Sequence, residues 1–246
     1  EEGSSVNLID EISSASNSNL FTNVVIEMYL GKGSKLNYSN LQNHTKHATH
    51  HLFQRAQIEE HAELTSLIVA LGGKISKADL GVALAGDGAS ASTYGIVLGD
   101  ENQRFDHRTT IEHIAPNTKS GLNFRVVLKD KARSAYTGNL KIAHEADKSD
   151  AYQENRNLLL SPEAKAESIP ELEILTNNVT RCSHGVTVGQ VDKDQIYYLM
   201  SRGFDQSNAE KLIIEGFLEP TISRIPDENL CEEIKKSINE KLSRNQ

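Results

Sequence analysis

Tryptophan is absent from the 246-residue sequence, only 5% of residues are aromatic, and there are two cysteines and five prolines. So few aromatic rings leave little to stack against a sugar, which counts against a polysaccharide-cleaving enzyme. Cys182 and Cys231 lie far apart in different kinds of segment. No disulfide framework follows, and a reducing, cytoplasmic setting is expected (plastid stroma in a plant or alga). No apolar run approaches the roughly 20 residues that span a bilayer. Dense Lys/Arg clusters interleaved with aromatics are also missing, and the net charge is −8. Neither a membrane nor nucleic acid is expected as a partner. The G-x-x-x-x-G-K-[ST] phosphate loop does not occur, and Gly86-Asp87-Gly88 reads as a turn, so no nucleotide is expected on this chain. The first residue is Glu1 rather than Met and no signal-peptide pattern follows, which points to a fragment or a processed form.

What is present is globular: 37% hydrophobic and 24% charged residues in a chain long enough to bury a core. Residues 1–20 are polar and Ser/Asn-rich and read as a poorly structured lead-in, with at most one short strand. From Phe21 to Val191 the chain is a series of short β-branched or Leu-rich runs, such as Val24-Val25-Ile26 and Gly95-Ile96-Val97-Leu98. Small residues recur at the corners: Gly31-Lys32-Gly33-Ser34, Glu60-His61-Ala62-Glu63, Asp87-Gly88-Ala89-Ser90, Asp130-Lys131-Ala132-Arg133. Their intervals are irregular, clustering near multiples of about 20 residues, the length of three short strands and their corners in one solenoid coil. An irregular β-sandwich would use the same strands, but the repeated corner favours the solenoid. The expected organisation is a β-domain over 1–191 and a helical domain over 192–246.

In that tail the period changes to 3.6. Ile196, Leu199 and Met200 follow the possible N-caps Asp192 and Asp194, and Gly203 can close the helix. A second helix after Asp205 or Ser207 would place Ala209, Leu212, Ile213, Gly216 and Phe217 on one face, with Pro220 ending or kinking it. A third, after Pro226-Asp227, carries Leu230, Ile234, Ile238 and Leu242. Three short helices make a poor core of their own and should pack on the β-body or a partner.

Cys182 and His184 stand two apart in a β-type run, so their side chains leave one face of the strand. A thiolate beside an imidazole suits thiophilic metals and iron–sulfur clusters, but two ligands cannot close a four-ligand site. The spacing alone equally describes a buried small residue and a hydrogen-bonded histidine. Among the other histidines, His44 and His50 would share one face of a strand, and His47 and His51 the other, so no chelating set follows. Glu112-His113 beside Asp106-His107 could do acid–base work or be wall residues. Asp150, Gln153, Asn155 and Asn157 read as a polar ladder of turn residues whose amides satisfy corner backbone groups.

Longer motifs carry a resemblance. His107-Arg108-Thr109-Thr110-Ile111-Glu112-His113-Ile114-Ala115-Pro116, Asp130-Lys131-Ala132-Arg133-Ser134, Thr137-Gly138, Asp150-Ala151-Tyr152-Gln153-Glu154-Asn155-Arg156-Asn157-Leu158-Leu159-Leu160-Ser161 and Pro170-Glu171-Leu172-Glu173-Ile174 follow in order. They continue into Cys182-Ser183-His184-Gly185 and Asp194-Gln195-Ile196-Tyr197-Tyr198-Leu199-Met200-Ser201-Arg202-Gly203. This text resembles the SufB/SufD family of iron–sulfur cluster assembly proteins, most like the SufD branch, and extends back to about Phe21. The resemblance implies a mainly β fold, a right-handed parallel β-helix followed by a small α-helical domain. It implies a non-catalytic scaffold in an ATP-dependent SufBCD-type complex, pairing with a SufB-like paralogue through the β-helix and with a SufC-like ABC ATPase through the C-terminal helices. It also implies a transient iron–sulfur cluster shared between subunits, with His184 as the family's implicated position and Cys182 as its neighbour of less settled role. The family's long N-terminal helical region is not in this sequence. Two other readings remain beside it: a self-pairing homodimeric family member and a β-helical carbohydrate-active enzyme.

Overall fold

The computed structural model describes residues 1–14, 19–225 and 227–243. Thirteen strands among the described residues alternate between two all-parallel sheets. One has seven strands: β1 (Ser5–Ser13), β3 (Lys35–Asn43), β5 (Glu63–Ala70), β7 (Ser90–Gly99), β9 (Lys119–Leu128), β11 (Asp150–Leu159) and β13 (Arg181–Gln190). The other has six: β2 (Phe21–Leu30), β4 (Thr49–Ile58), β6 (Ile75–Leu84), β8 (Arg104–His113), β10 (Arg133–Ile142) and β12 (Lys165–Ile174). Because every odd strand pairs only with odd strands and every even strand with even ones, the chain winds as a β-solenoid of about six coils. The expected mainly β solenoid with a helical tail is therefore what forms, but its coil differs from the expected one. Each coil holds two strands of about ten residues rather than three short ones in about twenty. Register partners lie about 30 residues apart, as Ser5↔Lys35 and Asp150↔Arg181 do.

The corners explain the small residues. In the corners leading from β2, β4, β6, β8 and β10 to the next odd strand, the same position is left-handed: Gly33, His61, Gly88, Asn117 and Lys148, with φ between 54° and 69°. The following residue is buried and small: Ser34, Ala62, Ala89, Thr118, Ser149. Its side chain points under the corner, where a large one would push the coils apart. Backbone bonds stack the corners, with Gly33 N donating to Glu60 O (2.8 Å), His61 N to Asp87 O (2.9 Å) and Asn117 N to Asp147 O (2.8 Å). Within residues 1–20, β1 is a full strand in register with β3 from Ser5 to Ser13, so the lead-in contributes a rung.

Three helices follow: α1 (Lys193–Ser201), α2 (Gln206–Ile222) and α3 (Glu228–Ser243). Asp192 and Asp205 cap α1 and α2 by accepting from Asp194 N and Asn208 N, and Gly203 (φ 99°) sits just past α1. Helices α2 and α3 lie on the outer face of the seven-stranded sheet. There Ile214, Leu218, Ile222, Leu230, Ile234 and Ile238 pack with Leu67, Val69, Ile96 and Val127. The face of α2 is thus Ala209-Ile214-Leu218-Ile222, rotated from the expected one; Leu212 and Gly216 point to solvent. Pro220 is tolerated two residues from the end of α2. Its missing N–H and its ring act on the helix turn before it. Near the end of α3, Lys241 donates to the Leu71 carbonyl and to Gln103 Oε1. Among the described residues no helix is long and apolar enough to cross a membrane.

Candidate functional site

Strand β13 is the last rung of its sheet and β12 the last of the other, so among the described residues both present an unpaired edge. Register decides what β13 shows. Cys182 pairs with Ala151, His184 with Gln153, Val186 with Asn155 and Val188 with Asn157. All four β11 partners are buried inward-facing residues, so Cys182, His184, Val186 and Val188 face the lumen too. No further rung among the described residues covers them. Cys182 is half-buried against the inner core, His184 is exposed, and Val188 keeps 47% of its surface. Across the lumen β12 leaves Leu172 and Ile174 open in the same way. The two residues singled out by spacing therefore sit together at the open end of the solenoid. Burial pushes the Cys182 thiol above its ordinary range, so it is a thiol in the isolated chain; a metal would have to displace the proton.

Immediately beneath lies a polar layer. Asn157 Nδ2 donates to Asn155 Oδ1 (2.6 Å) and to the Thr187 carbonyl (3.0 Å), Ser168 donates to Asn155 Oδ1 (2.6 Å), and Gln153 Nε2 donates to the Gly138 carbonyl (3.1 Å). Gln153, Asn155 and Asn157 are thus strand residues inside the solenoid, not turn residues; of that ladder Asp150 alone faces outward, where it pairs with Arg181 at 2.8 Å. Gln153 Oε1, Asn155 Nδ2 and Asn157 Oδ1 are buried without a partner among the described residues. The sequence marks these residues as a polar ladder but not as an inward layer, because a turn amide and an inward strand amide look alike until register is known.

On the outer face, polar contacts run from β13 to the helices. Arg181 packs over Tyr152, whose hydroxyl donates to Glu154 Oε1 (3.0 Å). Asn123 donates to Glu154 Oε2 (2.6 Å), Thr221 of α2 donates to Asn123 (3.0 Å), and Arg125 donates to the Phe217 carbonyl (2.7 Å). Burial alone would raise the Glu154 carboxyl, but the bonds from Arg156 and Tyr152 and the charges of Arg156 and Arg125 carry it below its usual range.

The other candidates separate. His44 and His50 face inward with ring centroids 5.2 Å apart and share the Thr22 hydroxyl (3.3 and 2.8 Å), while His47 is exposed in a corner. In β8 the acids and histidines part: Asp106 and Glu112 face out, whereas His107 and His113 are buried inside. Acid–base pairing across that strand is geometrically excluded. His113 is held by the hydroxyls of Thr118 (2.8 Å) and Ser120 (2.7 Å). Among the described residues no group of three or more His, Cys, Asp or Glu side chains could hold a metal ion.

Against known proteins, the family model described as SUF system FeS cluster assembly, SufBD core domain, matches residues 1–217. The chain belongs to the SufBD family. The iron–sulfur cluster assembly protein SufD of Bacillus subtilis is 31% identical over 246 residues, covering 98% of this chain and 56% of the relative. SufD of Escherichia coli is 28% identical over 241 residues, covering 98% and 57%. An iron–sulfur cluster assembly SufBD family protein of Mycobacterium tuberculosis is 30% identical over 194 residues, covering 76% and 49%. This SufBD-family chain thus spans about half the length of the curated relatives it matches.

Proposed function

We propose that this chain is a SufD-type, non-catalytic scaffold for iron–sulfur cluster assembly, with the cluster built at an interface that His184 and Cys182 share with a SufB-type partner. The observation that carries this reading is the open coil end: a thiol and an imidazole face an uncovered lumen between two unpaired strand edges, in a chain of the SufBD family. Two such groups supply half of a tetrahedral set, and a partner strand laid against the edge supplies the rest while covering Leu172, Ile174 and Val188. The same edge also admits a second copy of this chain, since an edge can pair isologously.

Helix α1 buries no residue and exposes Tyr197, Tyr198 and Met200, with Phe204 just beyond it. That apolar surface suits a SufC-type ATPase, which would supply the nucleotide chemistry, as the G-x-x-x-x-G-K-[ST] motif does not occur in this sequence. Movement of the helices on ATP binding would reach β13 through Thr221, Asn123, Glu154 and Tyr152, and so strain or open the shared interface.

The test is anaerobic co-expression of the full-length protein with its own SufB- and SufC-type partners, comparing wild type with His184→Ala and Cys182→Ser. Co-purification reports assembly, and iron and sulfide analysis reports cluster. The expected result is an intact complex in all three with cluster lost in His184→Ala. Unchanged cluster in that variant refutes the ligand role, and absence of any complex with wild type refutes the SufD-type reading. A homodimer in place of the heterocomplex selects the self-pairing form.

A further inference from the structure

Gln153 is the register partner of His184, one rung below it and on the same inner face, so the two side chains stand about 4.8 Å apart at their roots. It is 1% exposed. Its amide has one orientation available, because Nε2 donates to the Gly138 carbonyl at 3.1 Å and an oxygen there would face another oxygen. Gly138 is what lets the amide lie so close: a Cβ at that position would stand 2.4 Å from Nε2. Oε1 is therefore the atom left over, and it is buried without a partner among the described residues. On either side of His184 the inward neighbours are Cys182 and Val186, neither of which offers a strong acceptor.

We propose that Gln153 is a positioning residue for His184: its Oε1 accepts the ring N–H of the imidazole, so that the other ring nitrogen is presented to metal at the open end. A metal-bound histidine donates its remaining N–H to an acceptor that fixes its tautomer and ring orientation. Here that acceptor is preformed, held by Gly138 and left unsatisfied until the imidazole turns inward over it. The inference rests on the ligand reading of His184, and the test separates the two.

The full-length chain, labelled with 15N-histidine and assembled metal-free with its SufB-type partner, is titrated with Zn(II) as the probe. Wild type, Gln153→Met, Gln153→Glu and His184→Ala are compared. Gln153→Met keeps the volume but has no acceptor. It is expected to weaken zinc binding by about tenfold or more and to lose the sheltered ring N–H proton signal of His184, with an unchanged thermal unfolding midpoint. In Gln153→Glu a neutral carboxyl donates to the Gly138 carbonyl and accepts from the ring, so both signal and affinity return. If Gln153→Met binds zinc like wild type and keeps the N–H signal while His184→Ala loses zinc, the positioning role is wrong and the ligand reading stands. If His184→Ala also binds like wild type, the ligand reading falls as well. Where Gln153→Met lowers the midpoint, Gln153→Glu decides: a folded Glu variant without the ring N–H signal overturns the proposal.

Discussion

Replacing His107 by phenylalanine and unfolding the protein across a pH series tests how the solenoid interior responds to acid. His107 lies inside β8, 2% exposed, stacked on Phe105 (ring centroids 6.3 Å) and against Phe124 (5.8 Å), with Nε2 unpartnered among the described residues. Burial pushes its pKa down to about 4, the neighbouring Asp106 carboxylate opposing this and His50 adding to it. In the unfolded chain the same imidazole titrates near 6.5. Between those values the unfolded state binds a proton that the folded state refuses, so stability rises with pH. The contribution is complete above about pH 6.5, is lost as pH falls toward 4, and changes no further below that. Its size is roughly 3 kcal/mol over the whole window. His113 is pushed to about 4 by the same cause, so wild type should show a steep acid limb well above the carboxylate range. Phenylalanine at 107 keeps the stacking and cannot protonate. Urea unfolding from about pH 4.5 to 7.5 should therefore give a slope shallower by up to about 1.4 kcal/mol per pH unit in His107→Phe. Equal slopes in variant and wild type would refute the assignment of a buried neutral imidazole.

Two further predictions concern the frame. A Cβ on Gly72 would lie 2.1 Å from the His44 carbonyl oxygen and 2.3 Å from its nitrogen, both backbone atoms of the preceding coil; Gly72→Ala should cost about 2–4 kcal/mol, and an unchanged melting temperature would show that the coils can part there. Ile234 is fully buried between α3 and the sheet, so Ile234→Ala should lose about 2–5 kcal/mol, with hydrogen-exchange protection falling in α2 and α3 before the inner strands; uniform loss along the chain would contradict separate packing of the helices.

The sequence by itself settled the class of fold, since corner residues such as Ala62 and Ala89 are small for a reason that repeats from coil to coil, and the switch to a 3.6 period after Asp192 marks the helices wherever they pack. It also brought out Cys182 and His184, because alternation along a strand puts residues two apart on one face whatever the strand pairs with. The coil length was not legible: inward and outward apolar residues both occur on the seven-stranded sheet, which is buried on its lumen side and again under α2 and α3, so alternation there is blurred. The buried face of α2 was hidden for a related reason: Ile213 and Ile214 are equally apolar, and only contact with the sheet chooses Ile214. The polar layer of Gln153, Asn155 and Asn157 was equally hidden, because inward direction is a property of register. Only the tertiary structure decided that the Cys182–His184 pair stands at an uncovered rung directly above that layer, since what closes a coil, and what leaves one open, depends on strands some 30 residues apart in the chain.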